Sequence, residues 1–189
     1  YRNYVPAAVF QLVTRGECLT AYTPYQPEVS QGMLQAMWEF QTLISELVGL
    51  PVANLSLYDG STAAAEALTC AVRVHTRKAT QSNTVYVSEL TPPDKMSVME
   101  NYCQGAEIII KTLKHNEDGT LNLDALKEAA GSCGVYLEQP NPLGILDEGL
   151  ITVKDIIGAN TAFIVGVQPV SLGIVEAPGH YGAAIVVGE

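Results

Sequence analysis

Five short apolar segments, at 84–88, 107–113, 135–138, 162–167 and 184–187, constrain the fold of this chain more than any other feature. They are rich in Val and Ile, and none alternates strictly between polar and apolar residues. A strand with one wet face alternates, so these read as strands buried on both faces, the pattern of a parallel sheet covered by helices on either side. Parallel pairing needs crossover connections, and helix-like segments lie between the strands. From Ser30, the stripe Leu34, Met37, Phe40, Ile44, Leu47 and Val48 predicts a helix that ends at Gly49 with Pro51 beyond it. An Ala-rich helix over 63–72 follows an extended stretch at 52–58, and further helices are expected at 94–104, 123–130 and 150–158. Asn122 is placed to cap the helix at 123–130, and 116–119 reads as a turn. Pro24 and Pro27 bias the residues before them away from helix, so 1–27 is expected to be an extended N-terminal segment. Residues 28–189 then form an α/β domain fragment, expected to be truncated at both ends because an apolar, internal-looking strand stands just before Glu189.

Of 189 residues, 10 are Lys or Arg and 20 are Asp or Glu, a net charge of −10, which argues against a nucleic-acid or anionic-membrane footprint. Charged residues make up 16% and hydrophobic ones 48%, a balance that suits burial against a partner as well as in a core. No apolar run reaches the ~20 residues that span a bilayer. No signal-peptide pattern opens the chain, so the expected location is cytoplasmic, with reduced thiols. The cysteines at 18, 70, 103 and 133 show no CxxC spacing, the three histidines are scattered, and no metal site is expected.

Gly60-Ser61-Thr62, opening the Ala-rich helix, has the character of a phosphate-binding turn, since a helix N-terminus offers unpaired N–H groups and a positive dipole end. The same residues would serve a plain helix cap. A pyridoxal phosphate site would also need a Schiff-base lysine and an acid facing the ring nitrogen. The lysines, at 78, 95, 111, 114, 127 and 154, all read as solvated surface, and the strand at 162–167 is followed by the neutral Gln168. Tyr22 and Tyr25 are candidates for interface contact or for lining a site, and Asn141 and Gln168 follow strands at the carboxyl edge, where open parallel sheets bind ligands. Turn formation is the alternative role for Asn141.

These residues carry a resemblance. The stretches 20–32 (TAYTPYQPEVSQG), 39–42 (EFQT), 52–67 (VANLSLYDGSTAAAEA), 139–144 (QPNPLG), 169–173 (PVSLG) and 182–189 (GAAIVVGE) resemble the P-protein family of the glycine cleavage system. The likeness is strongest to the first subunit of the form divided into two chains. It implies the large domain of pyridoxal-phosphate enzymes of fold type I, in a subunit that carries no cofactor lysine. Pyridoxal 5′-phosphate is then expected on the second subunit, in a heterotetramer with two copies of each chain. The complex would decarboxylate glycine and pass the aminomethyl group to the lipoyl arm of the H-protein, while this fragment alone would be inactive. Gly60, Ser61 and Thr62 would be a vestigial phosphate turn, and Tyr22, Tyr25, Asn141 and Gln168 would line the shared site. Thr91 departs from the histidine that related chains often carry before the proline. Two alternatives stay open: a self-sufficient aminotransferase or lyase with its lysine beyond Glu189, and a purely structural scaffold.

Overall fold

The computed structural model describes residues 4–16, 25–76 and 82–189. They fall into two compact units, one within 4–45 with 52–55 and the other comprising 46–51 and 56–189. In the first unit, helix α1 covers Ala7–Val13, within the segment expected to be extended. Pro6 immediately precedes the helix, where proline breaks no hydrogen bond, and the run from Ala7 to Val13 contains neither Pro nor Gly. The prolines that argued for extension, at 24 and 27, act only on their own neighbours. Helix α2, Gln31–Val48, begins in this unit, where Gln41 Nε2 donates to the Ala53 carbonyl at 2.8 Å.

In the second unit, α2 ends at Gly49, which has φ +70°; a Cβ there would stand 2.9 Å from the His180 ring. The left-handed turn and the close approach together explain glycine at this helix stop. Helix α3 is Gly60–Thr76, followed by β1 Thr84–Ser88, α4 Pro93–Gly105, β2 Ile109–Leu113 and α5 Leu123–Leu126. Then come β3 Gly134–Gln139, α6 Val153–Ile157, β4 Ala162–Val167 and β5 Ile185–Gly188. The five strands form one parallel sheet in the order β2-β1-β3-β4-β5.

Helices α3 and α4 pack on one face, where Ala64, Leu68 and Ala71 meet Val85, Val87, Tyr136 and Ile164. Alanine lets α3 lie close to the sheet: a Cβ on Gly134 of β3 would stand 3.3 Å from that of Ala71. On the other face, Leu126, Leu150, Val153 and Ile157 cover Tyr86, Val135, Leu137, Phe163 and Val165. Burial on both faces holds for β1, β3 and β4; β2 lies at an edge, with Ile109 and Lys111 exposed.

Local chemistry moved several boundaries. The helix expected at 123–130 divides into α5, capped by the Asn122 side chain, and a 3-10 turn at Lys127–Ala129. The one at 150–158 is a 3-10 turn, Glu148–Thr152, leading into α6. Glu107 takes a left-handed φ of 55°, so the strand begins at Ile109. The stretch 52–58 is irregular and forms no strand.

Candidate site at the carboxyl edge of the sheet

The chain leaves β1 toward β2 on one side and returns to β3, β4 and β5 on the other. The order therefore reverses between β1 and β3, the place where open α/β sheets leave a crevice at their carboxyl ends. Lys95, in the first turn of α4 after β1, reaches across to Glu138 at the end of β3, with Nζ 2.6 Å from Oε1. The same oxygen accepts the Tyr136 hydroxyl at 2.7 Å. Residues two apart on a strand share a face, so Tyr136 and Glu138 both point toward α3 and α4. Gly166, paired with Glu138 in the register, leaves the room: a Cβ there would stand 2.5 Å from the Tyr136 oxygen. Burial and the adjacent carboxylate push the Tyr136 phenol well above its ordinary pKa.

These groups line a cavity of about 180 Å³ with Gly60, Pro140, Gln168, Gly188 and Glu189. A more open groove of about 510 Å³ lies in the first unit, along Pro27, Glu28, Gln31, Leu34, Gln35 and Trp38. The smaller cavity is the candidate site, because the carboxyl ends of three neighbouring strands converge on it.

Gly60 does stand at the start of α3, but its N–H donates to Glu189 Oε2 at 2.8 Å. Asp59, which the sequence reading passed over, caps this helix. Its Oδ1 accepts from the Thr62 N–H at 2.7 Å and the Thr62 hydroxyl at 2.9 Å, while its own N–H donates to Thr62 Oγ1. The Thr62 amide, then its hydroxyl, hold the Asp59 carboxyl below its usual range. Two carboxylates thus meet the turn at Gly60-Ser61-Thr62. The D-G-S-T string resembles a capping box with Thr in the reciprocating place, a signal present in the sequence.

Gln168 lines the cavity, with its Oε1 accepting from the Ser171 N–H at 3.1 Å. Asn141 does not line it. Its amide donates to the Gly119 carbonyl and accepts from Leu143 and Ile145, holding the loop after β3. Tyr25 is 87% exposed in the first unit, and Tyr22 lies outside the described residues, as do Cys18 and Lys78. The reading of Lys95 as solvated surface is corrected: its side chain is 22% exposed and ion-paired, because α4 starts directly above the end of β3.

Beside the crevice, Glu89 after β1 accepts the His115 N–H at 2.6 Å and Lys114 Nζ at 2.7 Å. Burial lowers the His115 pKa against the opposing charges of Glu89 and Asp147. Thr91 Oγ1 is buried without a hydrogen-bond partner among the described residues.

Pyridoxal phosphate does not fit this cavity as it stands. The cavity's lysine is bound to Glu138, the Gly60 N–H faces a carboxylate, and Gln168 offers the ring nitrogen a neutral amide. The volume also lies below the ~300 Å³ at which small-molecule pockets usually begin.

Comparison with known proteins agrees with this architecture. The chain is 51% identical over its whole length to the probable glycine dehydrogenase (decarboxylating) subunit 1 of Thermococcus onnurineus and 50% identical to that of Pyrococcus abyssi. It covers 42% of each, so it spans about two-fifths of the length of the curated relatives it matches. A crystal structure of glycine decarboxylase (P-protein) of the glycine cleavage system, in inhibitor-bound form, superposes with a TM-score of 0.86 at 41% identity. That match takes in 99% of this chain and 41% of the other. A NifS-like protein at 12% identity and a TM-score of 0.67 has the same fold, over 88% of this chain and 46% of its own. The fold is that of the large domain of pyridoxal-phosphate enzymes of fold type I. The family profile described as glycine cleavage system P-protein matches residues 1–189, and the chain belongs to that family.

Proposed function

We propose that this chain is part of the cofactor-free subunit of a two-subunit glycine decarboxylase. The observation that carries this reading is the lining of the carboxyl-edge cavity, which offers a lysine already paired with Glu138 and the neutral amide of Gln168 in place of a free amine and an acid. Pyridoxal phosphate then belongs to the second subunit, and glycine is decarboxylated there, with the aminomethyl group passing to the lipoyl arm of the H-protein. The complex is a cytoplasmic heterotetramer with two copies of each chain. This chain supplies walls and contacts to the shared site: Tyr22 and Tyr25 from its N-terminal segment, and Gln168 from the carboxyl edge. Aromatic residues on such a segment suit an interface, where Tyr is enriched. The turn at Gly60, Ser61 and Thr62 is a vestige, and Asn141 serves the loop.

The test is reconstitution. The full-length protein, its second subunit, or both are mixed with pyridoxal phosphate, lipoylated H-protein and carboxyl-labelled glycine, and release of labelled CO2 is followed. Turnover by the mixture and by neither chain alone is expected. Turnover by the full-length protein alone would make it a self-sufficient enzyme, and turnover by the second subunit alone would make it a scaffold. Tyr25→Ala in the active mixture is expected to lower kcat/KM about tenfold, the loss of one well-placed contact.

A further inference from the structure

The disagreement between the cavity and the cofactor has a source in this chain's own side chains. We infer that Glu138 and Glu189 act together as a carboxylate filter that closes the carboxyl-edge cavity to phosphate-bearing ligands. The inference rests on the cofactor-free reading above and adds which residues enforce it.

Glu138 is the central one. Its side chain is 12% exposed, and its Oε1 binds both Lys95 Nζ and the Tyr136 hydroxyl. It therefore neutralises the lysine that lines the cavity and holds the phenol against the cavity wall. Gly166 fits this arrangement, because any side chain there would collide with the phenol. Glu189 lines the same cavity. Its carboxylate accepts the Gly60 N–H, and its Cδ stands 2.8 Å from where a Gly60 Cβ would be. With Lys95 paired, Glu189 leaves the lining with a net negative charge, which opposes entry of a phosphate dianion. A missing Schiff-base lysine would abolish only the covalent bond; the two carboxylates oppose binding itself. Replacing them with neutral isosteres frees Lys95 as a phosphate counter-ion and leaves the Gly60 N–H with a displaceable amide.

The experiment uses the isolated full-length protein and pyridoxine 5′-phosphate, which has the ring and the phosphate but no aldehyde to react with surface lysines. Binding is measured by isothermal titration for the wild type, Glu189→Gln and the double variant Glu138→Gln/Glu189→Gln. The double variant is expected to bind at least about tenfold more tightly than the wild type, equivalent to about 1.4 kcal/mol. Inorganic phosphate should compete. Glu189→Gln should show a smaller gain in the same direction. Equal binding by wild type and double variant, with matching circular dichroism, overturns the inference. Should the double variant fail to fold, Glu189→Gln decides alone, since that side chain is exposed, and no gain there overturns it equally. The readout involves neither the second subunit nor glycine, so its failure is distinguishable from failure of the reconstitution.

Discussion

Gly166→Ala is the substitution whose effect follows most directly from the geometry. The new methyl would stand 2.5 Å from Tyr136 Oη, 3.1 Å from its Cζ and 3.0 Å from Glu138 Cγ. Tyr136 is 1% exposed and packed between α3, α4 and the sheet, so the ring cannot swing clear without disturbing the core. The hydroxyl must leave Glu138, which breaks the 2.7 Å bond. Overpacking of this kind costs about 1–3 kcal/mol. A lost hydrogen bond to a charged acceptor adds about 1.5–3 kcal/mol, with the lower end apt here because Lys95 still holds Glu138. Reduced freedom of the unfolded chain returns about 0.4–1 kcal/mol. The expected net loss is about 2–4 kcal/mol. In a Tyr136→Phe background the 2.5 Å clash no longer exists and the bond is already gone, so the same substitution should cost about 1 kcal/mol or less. A double-mutant cycle by urea unfolding of the full-length protein, followed by circular dichroism, should give a coupling of about 2 kcal/mol. Equal costs in the two backgrounds would refute the reasoning, because the penalty would then not pass through the hydroxyl.

Asp147→Ala should lower stability by about 3 kcal/mol, seen as a shifted urea midpoint at unchanged slope. Its carboxylate accepts the N–H groups of Leu121 and Gly149, and its main chain is held by the Gln139 amide; all but the Gly149 bond are buried. A loss near zero would mean that water replaces the carboxylate. His115 has its folded pKa lowered below 6.5, chiefly by burial, so the unfolded chain binds the extra proton first. Its contribution is whole above pH ~6.5 and is lost as pH falls through the folded value. Thermal midpoints should therefore drop more between pH ~7.5 and ~5.5 for the wild type than for His115→Gln. The depressed Glu89 carboxyl acts in a lower window, keeping its contribution above its ordinary value of 4.5 and losing it as pH falls further. Parallel curves for wild type and His115→Gln would remove His115 from this account.

The class of fold was legible in residue order alone. Uninterrupted Val and Ile runs separated by helix-like segments leave little besides a covered parallel sheet, and β1 and β4 have the bounds that pattern predicted. Cap chemistry was legible as well: Asn122 accepts from Asp124 and Ala125 as its position implies. Asp59 could have been found by the same rule, since it stands directly before the helix it caps. The contents of the cavity were decided by tertiary structure. Lys95 and Glu138 are 43 residues apart, and Gly60 and Glu189 are 129 apart. Periodicity reports which face a residue presents to its own element's neighbours, not which other element will end beside it. That depends on strand order, and the β2-β1-β3-β4-β5 sequence brings the start of α4 over the end of β3 and the end of β5 to the start of α3. A lysine that reads as solvated on its helix thus becomes half of a partly buried ion pair, and a helix N-terminus that reads as open meets a carboxylate. The chain's composition and patterning determine that a carboxyl edge exists; the winding of the sheet determines which charges face one another across it.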